Sequence, residues 1–413
     1  MDLADALTVV DSPVRLHGRS DSDLVQRVIA SPHLAPSAKR PRPAAQLHNG
    51  IDCRPLEALH LLSYATRPRY QDDVFDMYLQ WGILRYLGFF QIADPDKTPM
   101  SLELSPAGRR VTGNQRRITS EEMGIGFGVL LGIRWFQATV GRVPISVVDI
   151  DAALDDRYVF AAGTRLTVQE RGAQRPDYLL IAHDPGIHSR YRIRALECKG
   201  TKTNSYAFKQ LAKATGQLSG IRVGNRVPAG LATAVVTSDN QVSYLAVDPP
   251  DGEEQSYEVS SRTMPRSDNF RIDSDRIDES AIELVNASVR ASWATLADFG
   301  GNLEALDRWA PEIMRRRLSR RARERHTFET PLGTARGITT TFEFEGHRLV
   351  LRLGLASGID HQLSTGTVED ITGAQAEFAT SLPAHENPST LSAGTRQVYS
   401  ATADGSIFSL SLT

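Results

Sequence analysis

Two stretches decide how this chain is read: Arg175-Pro176-Asp177-Tyr178-Leu179-Leu180, and Arg194-Ala195-Leu196-Glu197-Cys198-Lys199-Gly200. In the first, an acid sits at the mouth of an apolar run. In the second, an acid and a lysine two residues apart end another. Side chains at i and i+2 of a strand point to one face. Glu197 and Lys199 are therefore expected to project together, with Cys198 on the opposite side. His183-Asp184-Pro185-Gly186 between the runs has strong turn chemistry. That turn predicts a hairpin that brings Asp177 close to Glu197. Two carboxylates and an ammonium at one spot suit a hard divalent cation and a phosphate ester. The competing account is a surface hairpin with an ordinary Glu197–Lys199 salt bridge, which contributes little. Ile193, Ala195, Leu196 and Cys198 argue against it. They make the run mostly buried, and buried charges need a partner or a purpose.

Pro176-Asp177 followed by Glu197-Cys198-Lys199 resembles the two half-motifs of the PD-(D/E)XK nuclease superfamily, the fold of many restriction endonucleases. The resemblance spans roughly residues 119–248. It implies an α/β fold class: a restriction-endonuclease-like core, a mixed central sheet flanked by helices. The same resemblance implies Asp177, Glu197 and Lys199 as catalytic residues. Asp177, Glu197 and the backbone carbonyl of Cys198 would hold Mg²⁺ or Mn²⁺. Many members carry a further Glu on the helix before the motif; Glu122 is the candidate, with Glu121 the alternate. Either acid is equally well explained as stabilising a helix start. His183 and His188 are expected at the surface.

That preceding helix is expected from Thr119 to about Gln137, with a hydroxyl cap and acids in its first turn. Glycines 124, 126, 128 and 132 each cost about 1 kcal/mol of helix propensity. They make sense if the helix packs closely on a sheet. They do not complete a Gly-x-Gly-x-x-Gly fingerprint, because position 129 is valine. After Lys199, Asn204 or Ser205 predicts a helix to about Leu218, where Gln217 could hold a phosphate or water. Ala214 stands where some exonuclease-like branches have the Tyr of Gln-x-x-x-Tyr. Leu231–Thr237 and Val242–Val247 read as strands.

Pro55 onward looks helical, then Phe89–Ile92 and Ser101–Leu104 read as a hairpin, and Ser105-Pro106 opens a short helix. The order ends in Leu104-Ser105-Pro106-Ala107-Gly108-Arg109-Arg110. It resembles a winged-helix domain over about residues 50–115, whose DNA-binding members place a helix in the major groove. Residues 1–50, with five prolines, are expected to be loosely ordered or a short helix plus linker. The domain expectation is thus 1–50, 51–118 winged-helix-like, 119–250 nuclease core, 251–326 helical with a basic cluster, and 327–413 a small β domain.

Length and composition bound the rest. A chain of 413 residues, 41% hydrophobic and 23% charged, has room for two or three domains. The longest apolar run, Met123–Ile133, is too short to span a bilayer. No signal peptide is read at the N-terminus, and two cysteines make neither a disulfide framework nor a four-thiolate zinc site. These readings predict a cytoplasmic protein without a membrane. Net charge is −2, so any polyanion is held by local clusters. Arg315–Arg325 carries seven arginines and one acid. Arg109, Arg110, Arg316, Arg317, Arg320 and Arg321 are the expected nucleic-acid contacts.

The expected function is metal-dependent hydrolysis of DNA phosphodiesters by an endonuclease effector of restriction or antiphage defence. DNA is the expected partner; a protein of a multi-gene defence system and a homodimer are open. DNA repair, RNA cleavage and an inactive nuclease-fold scaffold are the alternatives.

Overall fold

The runs around Asp177 and Glu197 do pair, as neighbouring antiparallel strands of a mixed sheet. The structure, a computed structural model, describes residues 1–36, 38–66, 84–150, 168–170, 175–184, 187–223, 227–249, 255–258, 289–290, 292–310, 324–344, 346–383 and 396–413. The chain begins with α1 (Leu3–Asp11), β1 (Val14–Arg19), α2 (Ser22–Ile29), β2 (Ile51–Cys53) and α3 (Pro55–Ala65). A hairpin of β3 (Phe90–Ile92) and β4 (Leu102–Leu104) leads to α4 (Pro106–Arg110) and the long α5 (Gly113–Val140). Then come β5 (Ile145–Asp149), β6 (Val168–Glu170), β7 (Tyr178–Asp184), β8 (Ile187–Thr201) and α6 (Asn204–Gln217). β9 (Ile221–Val223), β10 (Gly230–Ser238), β11 (Gln241–Val247) and β12 (Gln255–Glu258) follow. The C-terminal part holds α7 (Leu303–Trp309), β13 (His326–Thr330), β14 (Gly333–Phe344), β15 (His347–Ala356), α8 (Ser357–Thr365), α9 (Val368–Ser381), β16 (Arg396–Ala401) and β17 (Ser406–Leu412).

The class is mixed α/β. The central sheet has the order β2-β1-β11-β10-β8-β7-β5, with β12 also on β8. β8 and β10 are parallel, as are β1 and β11; the other pairs are antiparallel. β10 is buried along nearly its whole length, as expected of a strand covered on both faces.

α5 is the hub. Its glycines form a flat ridge on the sheet. A β-carbon at Gly124 would lie 2.5 Å from Gly200 Cα, one at Gly128 2.7 Å from Cys198 Sγ, and one at Gly132 2.8 Å from a Leu196 methyl. Gly126 faces the other way, where its β-carbon would meet Ala58 O of α3 at 2.6 Å. The helix is thus pressed between sheet and α3, and its glycine cost is recovered as close packing. By length and composition α5 could cross a bilayer, but 67% of its apolar window is buried inside the protein, which accounts for its apolarity.

Three expectations change here. α5 starts at Gly113, not Thr119. The Ser120 hydroxyl does not cap a helix start: it donates to Arg116 O (2.9 Å) and meets Thr237 Oγ1 of β10 (2.9 Å). Residues 1–50 are not a loose leader, since β1 is a strand of the central sheet. Tyr244 OH bonds Leu47 O (2.8 Å), and the Arg42 and Asp248 backbones bond each other. Few aromatics and several prolines misled because β1 borrows its apolar surroundings from β11. The third is the C-terminal region. A five-stranded sheet, β13-β14-β15-β17-β16, is present, but α8 and α9 lie in residues expected to be purely β. Thr367 and Asp370 form a capping box at α9, a legible signal that the Thr- and Ser-rich composition obscured.

The expected hairpin forms, with Phe90 opposite Leu104, and Ser105 caps α4 through Gly108 N (3.0 Å). β2 of the same region belongs to the central sheet and α3 packs on α5.

The C-terminal sheet is tied to α3 by a buried histidine. His60 lies between the rings of Phe299 and Phe408, with Ser400 Oγ 3.1 Å from Nδ1 and Ser406 Oγ 3.1 Å from Nε2. Burial, aided by the Arg54 charge, pulls its pKa down to about 3. The imidazole therefore stays neutral in the fold while the unfolded chain takes up a proton near pH 6.5. Its contribution is fully present above pH 6.5 and is lost as pH falls toward 3. Urea unfolding is expected to show about 2 kcal/mol lost at this residue between pH 7.5 and pH 5. His60→Gln, which keeps an amide for both serines, should flatten that part of the profile. An identical pH slope in the two proteins would refute the assignment.

Candidate active site

Register brings the acids together. Tyr178 pairs with Leu196 and Leu179 with Ala195, so Asp177 stands opposite Glu197. Strand alternation then sorts the faces. Leu180, Leu196 and Cys198 meet the glycine ridge of α5, and the Arg194 guanidinium lies 4.4 Å from the Trp135 and Phe136 rings of that helix. Asp177, Glu197 and Lys199 take the other face, which α6 covers as it connects the parallel strands β8 and β10.

The three expected side chains meet. Lys199 Nζ contacts Glu197 Oε1. Cys198 N donates to Asp177 Oδ2 at 2.9 Å. Glu197 is fully buried and the Lys199 side chain is 23% exposed. Both Glu197 carboxylate oxygens are buried, and beyond Lys199 only the Asp177 backbone approaches them. Burial, reinforced by Asp177, pushes the Glu197 carboxyl up to about 8. Burial also raises Asp177, against the opposing pull of Lys199 and of the Cys198 amide. Burial alone would lower Lys199, but Glu197 and Asp177 outweigh it and hold the ammonium above its usual value. An exposed salt bridge would show none of this. Two crowded carboxyls, one of them fully buried, are costly to fold even with an ammonium against them. Sites of this kind cluster at functional positions.

The donor set fits a hard cation. Two carboxylates converge, and among the described residues the Glu197 oxygens meet only the Lys199 ammonium and the Asp177 backbone. An extended residue sends its N–H and C=O to the same edge. The Cys198 carbonyl thus follows its amide toward Asp177, past the end of β7. Among the described residues, no group of three or more His, Cys, Asp or Glu side chains is gathered as a closed metal cage. Mg²⁺ needs only one or two carboxylates, because it keeps several waters.

Other expected residues go elsewhere. Glu122 does not join the pair. It lies on the Gly126 side of α5, away from the sheet, where its carboxylate accepts from Tyr86 OH and lies 3.5 Å from Arg85. α5 has two buried faces, and its sheet-facing ridge is Ser120-Gly124-Gly128, so an acid on the opposite face points away from the sheet, here to Arg85 and Tyr86. Glu121, the alternate, is half exposed and pairs with Arg117 at 2.8 Å. The Gln217 amide donates to Arg175 O (3.2 Å). It therefore braces the approach to Asp177. Arg109 joins Glu103 (2.9 Å) and Asp239 O (3.2 Å), tying the hairpin to the β10–β11 turn. Arg110 is exposed. Arg316, Arg317, Arg320 and Arg321 lie outside the described residues, as do Pro185-Gly186 and the side chains of His183 and His188.

One acid was missed. Asp149 ends β5, next to Tyr178 of β7, and its charge adds to the rise at Asp177. Val147-Val148-Asp149 has the same signature as the other two runs: an acid at the end of an apolar strand. No family model, curated protein or solved structure matches the chain.

Proposed function

We propose that this chain is a metal-dependent nuclease with a restriction-endonuclease-like core, cleaving DNA phosphodiesters at Asp177, Glu197 and Lys199. The observation that carries the reading is the meeting of these three side chains on one sheet face, with the Glu197 carboxylate buried and short of donors. The order of elements supports it. Helix α5 is followed by an antiparallel β5-β7-β8 meander, then crossover helix α6 and the parallel strand β10. That is the order the resemblance implies.

Asp177, Glu197 and the Cys198 carbonyl would hold Mg²⁺ or Mn²⁺. Such an ion, when bound, makes a coordinated water nucleophilic near neutral pH and neutralises a phosphate oxygen. The chain's own groups do the rest. The Cys198 amide fixes the Asp177 carboxylate in place. Lys199 keeps its proton, because two carboxylates face it, and presents a cation to the charge that grows on the phosphate. Burial pushes Glu197 toward its neutral form and Lys199 opposes that push; a bound cation would favour the carboxylate in the same way.

The test is purified full-length protein with Mg²⁺ or Mn²⁺ against linear, circular and single-stranded DNA and RNA, with EDTA controls. Nicking or linearisation of circular DNA that stops in EDTA is the expected result. Cleavage unaffected by EDTA overturns the metal role. For the biological role we favour a defence effector that requires a trigger or partner protein, with the winged-helix-like and C-terminal regions as its gate. Cells carrying the gene and its neighbours should then form fewer phage plaques than cells carrying Lys199→Ala. Equal plaque counts over a broad phage panel, with DNA damage sensitivity in the mutant, would favour repair.

A further inference from the structure

Between Glu197 and Asp239 the chain has no acidic residue, yet it carries Lys199, Lys202, Lys209, Lys213, Arg222 and Arg226. On a chain of net charge −2, this is a strong local excess. The fold lays much of it along one helix. α6 buries Ala207, Leu211, Ala214 and Thr215 against the sheet. Its outer face follows at helical offsets of three and four: Tyr206, Lys209, Lys213, with Lys202 just ahead of the first turn. Tyr206 is 45% exposed, and among the described residues only the terminal Met1 is a comparably exposed large hydrophobic. Lys209 Nζ lies 5.4 Å from the Tyr206 ring centre. At the flank, Arg27 of α2 lies 3.5 Å from the Phe208 ring centre.

An exposed aromatic with a lysine over it, on a face of lysines, is the reverse of what a merely solvated helix face needs. A ring in water gains nothing from exposure, and like charges along one stripe repel. Both features are resolved by a polyanion that carries flat rings. Four residues of helix rise about 6 Å, so Lys209 and Lys213 can each face a phosphate of one strand. A ring free to stack needs a base that is not already stacked in a duplex. α6 starts only a few residues beyond Lys199, so its first turn lies at the end of β8 that carries the proposed active site.

We propose that the outer face of α6 is a platform for single-stranded nucleic acid, with a base stacked on Tyr206 and phosphates along Lys202, Lys209 and Lys213. This rests on the nuclease reading for its purpose, and not for its binding. The experiment uses the full chain in EDTA, where nothing is cut. Fluorescein-labelled single-stranded DNA, single-stranded RNA and duplex DNA of one sequence are titrated by anisotropy over a range of salt. Tyr206→Ala is expected to weaken single-strand binding about tenfold or more and duplex binding little; Tyr206→Phe should retain it. The pair Lys209→Gln and Lys213→Gln should lower the single-strand salt slope by about 1.4, or 0.7 per phosphate. Equal losses on DNA and RNA place recognition on base and phosphate; a loss on only one identifies the polymer the platform accepts. All four side chains lie on the surface, so melting temperatures should not move. Wild-type affinity and slope in both variants, or no single-strand binding by the wild type, overturns the platform. A chain that binds in this pattern but cuts nothing removes the nuclease reading alone.

Discussion

Lys199→Ala is expected to lower cleavage at least 100-fold while leaving a folded protein, on the scale seen when a key electrostatic group is lost. Among the described residues the ammonium is the cation in contact with Glu197, and it acts on Asp177 as well. Removing it takes away the positive charge that faces a phosphate and leaves two carboxyls against each other. Breaking a buried ion pair ordinarily costs about 3–5 kcal/mol, because a charge is left alone. Here the cost is limited, since Glu197 already tends to hold a proton near neutral pH and can neutralise itself. Urea unfolding of Lys199→Ala should thus show a modest loss beside the large kinetic one. Asp177→Ala and Glu197→Ala should lose cleavage to a similar degree, with Asp177→Ala also freeing the Cys198 amide. Lys199→Met separates charge from packing and should be as inactive as Lys199→Ala. Full activity in either Lys199 variant would sink the assignment.

Gly200→Ala is expected to destabilise the protein by about 3 kcal/mol or more, the upper end of what overpacking costs. Its β-carbon would fall 1.7 Å from Ser120 O, 2.5 Å from Ser120 C and 2.9 Å from Glu121 Cα. Each of these atoms is backbone or attached to it, so no rotamer change relieves the clash. α5 would have to lift from β8, which also opens the contacts of Gly124 and Gly128. On a total stability of about 5–15 kcal/mol that is a large share. Gly373→Ala makes the same chemical change as a control. Gly373 is exposed inside α9 with nothing within 4 Å of its β-carbon, so alanine should stabilise by about 0.5–1 kcal/mol. Urea midpoints measure both. A Gly200→Ala protein as stable as Gly373→Ala would mean that helix and strand do not touch as described.

Much of the site was legible because its signals are local. The i, i+2 spacing put Glu197 and Lys199 on one face and Cys198 on the other, whatever the rest of the chain did. That the two runs are neighbouring strands was readable, but the register was not: the Asp184–Ile187 pairing would set Asp177 opposite Arg194, and the shift between His183 and Asp184 sets it opposite Glu197. The glycines of α5 foretold a close helix–sheet contact, because nothing else compensates four such residues in one helix. Asp149 was equally readable and was passed over, because β5 was not recognised as a strand. Glu122 failed for a different reason. An acid on an apolar helix face points inward, but α5 has two inward faces and periodicity does not say which neighbour owns which.

By itself, then, the sequence determined that the runs around Asp177 and Glu197 are neighbouring strands, that Glu197 and Lys199 share a face, and the succession of α5, β7–β8, α6 and β10–β11. Each of these follows from backbone geometry over a few residues. Tertiary structure decided the rest: that β1 completes the central sheet, that Glu122 serves Tyr86 and Arg85, that His60 is sealed neutral between two phenyl rings, and that Tyr206 is left in water. Those outcomes depend on which surfaces distant segments bring to one another. Burial and charge, unlike alternation along a strand, are properties of neighbours that the local sequence does not contain.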